Sequence, residues 1–229
     1  MATGTLYIVA TPIGNLEDIT LRALRVLREV DIVLCEDTRQ TKKLLERHGI
    51  ANKQFTTYNE HRSGKNIESI FSWLEKGKNL ALVSDAGTPG ISDPGSRLVS
   101  EVHERFGGAV SVVPIPGPNA AITALSAAGA PSSDFLFLGF LPHKKGREKL
   151  FREIAAASRT VVFYESPHRI LKTLSSLTKH LAEGREVTVA RELTKIHEEV
   201  VRGEAANALV FFEKNKEKVR GEFVVIVAP

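Results

Sequence analysis

Leu80-Ala-Leu-Val-Ser-Asp-Ala-Gly-Thr-Pro-Gly-Ile-Ser-Asp-Pro-Gly95 joins a short apolar run to a loop built almost wholly of turn formers. Leu80–Ser84 reads as a buried strand, and Ser84–Gly95 as the loop at its carboxyl end, with Asp85 as the central carboxylate. The same grammar recurs on both sides. Upstream, a strand over Leu6–Ala10 runs into Ala10-Thr-Pro-Ile-Gly-Asn15, then a helix over Leu21–Val30 with apolar residues at Leu21, Leu24, Leu27 and Val30. Downstream, a strand over Val110–Ile115 runs into Pro114-Ile-Pro-Gly-Pro-Asn119 and a small, apolar helix over Asn119–Ala128. Strands at Asp31–Cys35 and Gln54–Tyr58 and helices at Arg39–His48, Ile67–Leu74 and Arg97–Phe106 complete an alternation that predicts a parallel sheet covered on both faces.

Gly129-Ala-Pro-Ser-Ser-Asp134 breaks that rhythm with turn formers and sets the expected boundary between domains 1–129 and 130–229. Beyond it, strands at Phe135–Phe140, Thr160–Tyr164, Glu186–Ala190 and Glu222–Ala228 alternate with helices at Lys145–Ala157, Arg169–Leu181 and Ala205–Lys214. The fold class is therefore α/β, in two layered domains with a cleft between them where a ligand would bind.

Composition narrows the function. Of 229 residues, 42% are hydrophobic and 25% charged, which excludes disordered and fibrous classes. No apolar run approaches the ~20 residues of a membrane span. The first residues lack a basic n-region, so no secretory signal and a cytoplasmic location are expected. The single cysteine, Cys35, cannot form an internal disulfide, and no Cys/His cluster has zinc-ligand spacing, so no metal is expected. Residues 1–134 hold 14 Lys and Arg against 15 Asp and Glu, whereas residues 135–229 hold 17 against 12. The positive excess lies wholly in the second part, as a polyanionic partner would require, although Lys and Arg that simply solvate the helices there are the commoner reason for such an excess.

In open α/β sheets, ligands sit beyond the carboxyl ends of the strands. Three glycine- and proline-rich loops at one such edge let main-chain groups approach a ligand closely. No G-x-G-x-x-G is present, and Ser96-Arg97 follows Gly90 and Gly95 where a P-loop needs Lys-Ser/Thr. Nicotinamide dehydrogenases and P-loop NTPases are disfavoured; a ligand with an amino-acid end, held by main chain and Asp85, is not.

Leu6-Tyr-Ile-Val-Ala-Thr-Pro-Ile-Gly-Asn-Leu16, Glu36-Asp-Thr-Arg39, Ser84–Gly95, Pro114–Asn119, Gly139-Phe-Leu-Pro142, Phe163-Tyr-Glu-Ser-Pro-His-Arg169 and Ala190-Arg-Glu-Leu-Thr-Lys195 follow one another across nearly the whole chain. Together they resemble the small-subunit ribosomal RNA methyltransferases of the tetrapyrrole methylase superfamily. The resemblance implies two α/β/α domains, an S-adenosylmethionine site in the cleft, a homodimer, and 2′-O-methylation of a cytidine in the decoding region of small-subunit (16S) ribosomal RNA. The partner would be that RNA or the 30S subunit, with neither DNA nor membrane involved. It also implies a cofactor set: Pro12 from the first loop, Asp85, Gly87, Thr88 and Ile91 from the second, Pro116, Gly117, Asn119 and Ala120 from the third, and Tyr164 and Glu165 from the second domain. Asn119 stands where the family more often carries serine, and Cys35, read as buried core, where it carries a small residue.

Methyl transfer to a ribose hydroxyl needs a cation for the developing alkoxide and a group to accept its proton. Lys195, beyond the Glu186–Ala190 strand, is the candidate cation, with a plain surface lysine as the alternative. Glu36 and Asp37 are candidate proton acceptors, although Asp37 or Thr38 would serve equally as a helix cap. Arg191 and Glu192 could simply pair with each other. For RNA phosphates the candidates are the cluster Lys144, Lys145, Arg147, Lys149 and Arg152, for which a solvated helix start is an equal alternative, with Arg39, Lys42, Lys43, His61, Arg62 and Arg169 secondary. With one Trp and three Tyr, extended base stacking is not expected.

Overall fold

A computed structural model describes residues 3–59 and 67–229; His61 and Arg62 lie outside them. The chain forms two compact units, Met1–Asn119 and Ala120–Pro229.

The first unit holds β1 (Thr5–Val9), α1 (Leu21–Glu29), β2 (Ile32–Cys35), α2 (Thr38–Arg47), β3 (Gln54–Thr57), α3 (Ile67–Glu75), β4 (Leu80–Val83), α4 (Ser96–Phe106) and β5 (Ser111–Ile115). The strands lie in the order β3-β2-β4-β1-β5, all parallel. Alternation along the strands splits the core in two. Val33, Cys35, Ala81 and Val83 point to one face and pack with Ala23, Leu24 and Leu27 of α1 and Leu44 and Leu45 of α2. Ile32, Leu34, Leu80 and Leu82 point to the other and pack with Ile70, Phe71 and Leu74 of α3 and Leu98 and Val102 of α4. Two apolar faces explain why β2 and β4 are continuous hydrophobic runs. Pro114, which lacks an N–H for the ladder, sits in edge strand β5. Thr20 caps α1 by accepting from the Ala23 N–H at 3.1 Å.

One consequence of this winding locates the ligand edge. The helix after β1 goes to one face and the helix after β4 to the other, although β1 and β4 are neighbours. Their carboxyl ends therefore form a topological switch point, where such sheets leave a crevice.

The second unit comprises α5 (Ala120–Ala128), β6 (Phe135–Phe140), α6 (Arg147–Ala156), β7 (Thr160–Glu165), α7 (Ile170–His180), β8 (Glu186–Arg191), β9 (Glu199–Glu204), α8 (Ala205–Lys214) and β10 (Phe223–Val227). Its sheet, β6-β7-β10-β8-β9, is mixed: only β6 and β7 run parallel. Phe163, Val189 and Val225 pack on α6, α7 and α8 through Phe151, Leu174, Leu177, Ala208 and Phe212.

Two features differ from the sequence reading. The unit boundary precedes α5 rather than following it, because α5 lays Ala121, Ala124, Leu125 and Ala128 against β7 and β10. Its small residues allow that close approach to a sheet, but they do not say to which one. Strand β9 was not expected: Glu199-Val-Val-Arg-Gly-Glu204 is an edge strand with one exposed face, so it carries charges and a glycine and lacks an apolar run.

Candidate functional site

The loops after β1, β4 and β5 are sewn together by main-chain bonds. Thr11 and Gly87 exchange both: the Thr11 N–H donates to Gly87 O at 2.8 Å, and the Gly87 N–H returns to Thr11 O at 3.1 Å. Thr11 Oγ1, nearly fully buried, also donates to Ser84 O at 3.0 Å. Thr88 Oγ1 donates to Pro118 O at 3.0 Å, tying the second loop to the third. The approach is closest at Gly117, where a Cβ would meet the Ala10 Cβ at 2.9 Å. Gly87 takes φ 85°, a left-handed value suited to glycine. The structure thus brings Pro12, Asp85, Gly87, Thr88, Ile91, Pro116, Gly117 and Asn119 onto one stitched edge of the first unit. Ala120 opens α5 in the second.

The carboxylates meet at the same edge. Glu36 and Asp37 follow β2, next to β4. The Asp37 N–H donates to Asp85 Oδ1 at 3.1 Å, and the Asp85 N–H points to Glu36 Oε1 at 3.5 Å. Burial raises the Glu36 carboxyl above its ordinary value and the Asp85 charge adds to this, more than offsetting the Asp85 N–H. Glu36 and Asp85 form no ion pair among the described residues. A cavity of about 320 Å³ opens beside them, lined by Pro12, Gly14, Thr41, Lys43, Ser84 and Asp85.

Asp37 proves to be the cap of α2. Its Oδ1 accepts from the Arg39 N–H at 2.8 Å, and the Arg39 guanidinium grips both oxygens at 3.1 and 2.6 Å. Those bonds hold its carboxyl at about 2, too weak a base to accept an alcohol proton. With both oxygens engaged by Arg39, Asp37 serves the helix cap and not, as expected from the sequence, a hydroxyl proton. Arg39 is 88% exposed but already engaged by that cap.

In the second unit, three side chains named for ligand or RNA contact, Glu165, Arg147 and Arg169, are engaged with one another. Glu165 is fully buried. Its carboxylate accepts from Arg147 Nη2 at 2.9 Å, Arg169 Nη2 at 2.8 Å, Thr173 Oγ1 at 2.6 Å and the Ser166 N–H at 2.9 Å. The two arginines also reach back to the β6–α6 loop, Arg147 to Pro142 O at 2.9 Å and Arg169 to Leu141 O at 2.8 Å. Arg147 and Arg169 thus leave the set of open phosphate ligands, and the Glu165 carboxylate has no capacity left for adenosine. Tyr164 Oη accepts from the Ala121 N–H at 3.2 Å, while its ring lies against Phe137 and Phe140. Lys144, Lys145 and Lys149 remain exposed, Lys149 in an (i, i+4) pair with Glu153 at 3.6 Å. Nothing in the sequence signalled Thr173; its only cue is the Arg169-x-x-x-Thr173 helical spacing.

Lys195 occupies the β8–β9 loop. Its Nζ donates to Glu192 Oε1 at 3.0 Å and to Glu222 Oε2 at 2.9 Å. Burial draws the ammonium down, but the bonds to Glu222 and Glu192 outweigh it and leave the group raised, hence a firm cation. Arg191, which could have paired with Glu192, turns instead to Glu199 at 3.6 Å and to His197 O at 3.0 Å. Among the described residues, no helix is long and apolar enough to cross a membrane.

Comparison with known proteins places this geometry. The model of the tetrapyrrole (corrin/porphyrin) methylases matches residues 5–209. A Thermotoga maritima protein named ribosomal RNA small subunit methyltransferase I is 46% identical over 225 residues, covering 98% of each chain. An Escherichia coli O157:H7 protein of the same name is 48% identical over 225 residues, 98% of this chain and 77% of that one. The crystal structure of uroporphyrin-III C-methyl transferase from Thermus thermophilus, complexed with S-adenosyl homocysteine, superposes with a TM-score of 0.63 at 18% identity, covering 98% of this chain and 97% of that one. By sequence and by architecture alike, the chain belongs to the tetrapyrrole methylase family.

Proposed function

We propose that the chain is an S-adenosylmethionine-dependent methyltransferase that modifies the ribose 2′-oxygen of a cytidine in the decoding region of small-subunit ribosomal RNA. The observation that carries the reading is the stitched cradle at the β1–β4 switch point, bearing Glu36 and Asp85 without a cationic partner among the described residues. S-adenosylmethionine bears a sulfonium and an α-ammonium, so two such carboxylates fit its charges, and the close approach at Gly117 leaves main-chain groups to bind the rest. The choice of acceptor rests on the two relatives, which match almost the whole of this chain and are named for small-subunit ribosomal RNA.

When bound, S-adenosylmethionine would supply an electrophilic methyl carbon and a neutral thioether as its leaving group. The chain's own part is orientation and charge. Asp85, Gly87, Thr88 and the Pro116–Asn119 loop hold the donor rigidly, and such preorganisation can supply ~7–11 kcal/mol of the barrier. Lys195, kept cationic by Glu192 and Glu222, stabilises the developing alkoxide. Glu36, whose carboxyl has a raised proton affinity, takes the hydroxyl proton, a role Asp37 cannot fill. Lys144, Lys145 and Lys149 bind RNA phosphates. A homodimer, a cytoplasmic location and a substrate that is either the small-subunit ribosomal RNA or the 30S subunit are part of the same proposal, through family resemblance.

The test is acceptor choice. With methyl-labelled cofactor, the protein is expected to label small-subunit ribosomal RNA and to leave free tetrapyrroles and proteins unlabelled. Label on a tetrapyrrole with none on RNA would keep the donor site and overturn the acceptor. No calorimetric binding of the cofactor by the folded protein would overturn the enzyme reading altogether.

A further inference from the structure

The loop Glu192–Glu198 has a main-chain shape that a plain hairpin connection does not need. Glu192 at φ 48° and Thr194 at φ 66° both lie in the left-handed region, which a β-branched residue rarely enters. Such outliers persist only where their surroundings over-determine them. Here the surroundings are on the page. The Glu192 N–H donates to Glu222 O at 3.0 Å, and the Glu222 N–H returns to Glu192 Oε1 at 3.1 Å. The Thr194 N–H donates to Glu198 Oε2 at 2.5 Å, and Arg191, nearly fully buried, holds His197 O from beneath. Leu193 is buried and anchors the loop at its start, while Ile196 at the tip is 97% exposed, so the left-handed residues around Lys195 are held mainly by these bonds. Its shape is imposed from below.

Gly221 completes the arrangement. A Cβ there would fall 2.2 Å from Glu192 Oε1, so the missing side chain leaves the space that the Glu192 carboxylate fills. That same Oε1 takes the Lys195 ammonium at 3.0 Å. Glu192 is 18% exposed and Glu222 75%, which makes Glu192 the fixed partner and Glu222 the loose one. Gly221 itself takes φ 85°, which suits glycine, and the space this leaves is where the carboxylate sits; an ordinary exposed pair contributes little and would not require the strained main chain of Glu192 and Thr194.

We propose that Glu192 is a positioning residue for methyl transfer: wedged over Gly221 and bonded to the main chain of Glu222, it fixes the Lys195 ammonium at one place. This rests on the assignment of Lys195 as the alkoxide-stabilising cation.

The experiment compares K195A, E192A, E192Q, G221A and the G221A/E192A double variant of the full chain. It measures kcat, the KM values for S-adenosylmethionine and RNA, and thermal unfolding. E192A is expected to lower kcat by roughly 10- to 100-fold, as for a misplaced reacting group, with the cofactor KM unchanged. E192Q, which keeps an acceptor oxygen, is expected to fall between E192A and wild type. Gly221 takes φ 85°, where a side chain strains the main chain by itself; G221A should therefore lower kcat in the wild-type background and lose clearly less in E192A, where only that strain remains because the displaced carboxylate is gone. If E192A fails to fold, E192Q carries the same comparison. Wild-type kcat in E192A and E192Q with an impaired K195A would overturn the positioning role and leave Lys195 standing. Wild-type kcat in K195A would overturn the Lys195 assignment and the proposal with it. Multiplicative losses in the double variant would show that Gly221 acts independently of Glu192, against the proposal.

Discussion

Replacing Glu165 by alanine is expected to be the most damaging single change in the second unit. Its carboxylate satisfies four donors within 2.9 Å: two guanidinium groups, the Thr173 hydroxyl and the Ser166 N–H. The arginine side chains are each 14% exposed and the carboxylate is not exposed at all. Removing it therefore strands two nearly buried cations that water cannot reach freely. Breaking a buried pair from one side costs ~3–5 kcal/mol, and a chain of this size loses roughly 2–4 °C of Tm per kcal/mol. The fall in Tm should thus be about 6–20 °C. Glu165→Gln should also destabilise, since its amide would turn two hydrogens toward groups that are themselves donors. The assay is thermal unfolding followed by circular dichroism, alongside Arg147→Ala and the Arg147→Ala/Glu165→Ala double variant. In the double variant one of the stranded cations is absent, so its loss should be smaller than the sum of the two singles. A loss under about 1 kcal/mol for Glu165→Ala, the range of an exposed pair, would refute the reasoning.

Asp85→Ala should weaken S-adenosylmethionine binding by about 10- to 100-fold, the worth of one charge-assisted bond, while the lost bond from the Asp37 N–H lowers Tm by only about 2–4 °C; calorimetry decides, and wild-type affinity would remove Asp85 from the donor site. The Asp37 carboxyl sits at about 2, below its ordinary value of 3.8, so its cap stabilises α2 fully above pH 3.8 and that contribution disappears as pH falls through about 2. The stability difference between wild type and Asp37→Asn should follow that course in denaturant titrations, and a difference independent of pH down to 2 would contradict it. Neutralising Lys144, Lys145 and Lys149 together should reduce the slope of log affinity for RNA against log salt by about 2–3, leaving Tm unaltered. An unchanged slope would exclude that segment from the interface.

What the sequence made legible, and what it hid, follows from how far each feature depends on distant partners. The first unit could be read almost element by element, because β2 and β4 are apolar on both faces and the loops after them carry their own turn chemistry. The resemblance of the loops placed Asp85 and Gly117 together before any coordinates. Three kinds of feature escaped. Strand β9 alternates too weakly to stand out, since its exposed face carries Val200, Arg202 and Glu204. The side to which α5 belongs depends on which sheet accepts its small residues. Charge pairing was the least legible: Arg147 and Arg169 look like phosphate ligands in a basic segment, yet both turn inward to one carboxylate. Nothing local distinguishes an arginine bound for RNA from one bound for a buried glutamate.

The most direct test uses the alkali lability of RNA, in which a free 2′-hydroxyl attacks the neighbouring phosphate. Small-subunit ribosomal RNA or 30S particles are incubated with the protein and methyl-labelled S-adenosylmethionine, and the RNA is then hydrolysed completely with alkali. The label should appear in a single alkali-resistant dinucleotide with cytidine at its 5′ side, because a methylated 2′-oxygen can no longer attack. Label recovered only in mononucleotides would mean methylation of a base, and no label in RNA would mean another acceptor; either result would contradict 2′-O-methyl transfer by this chain.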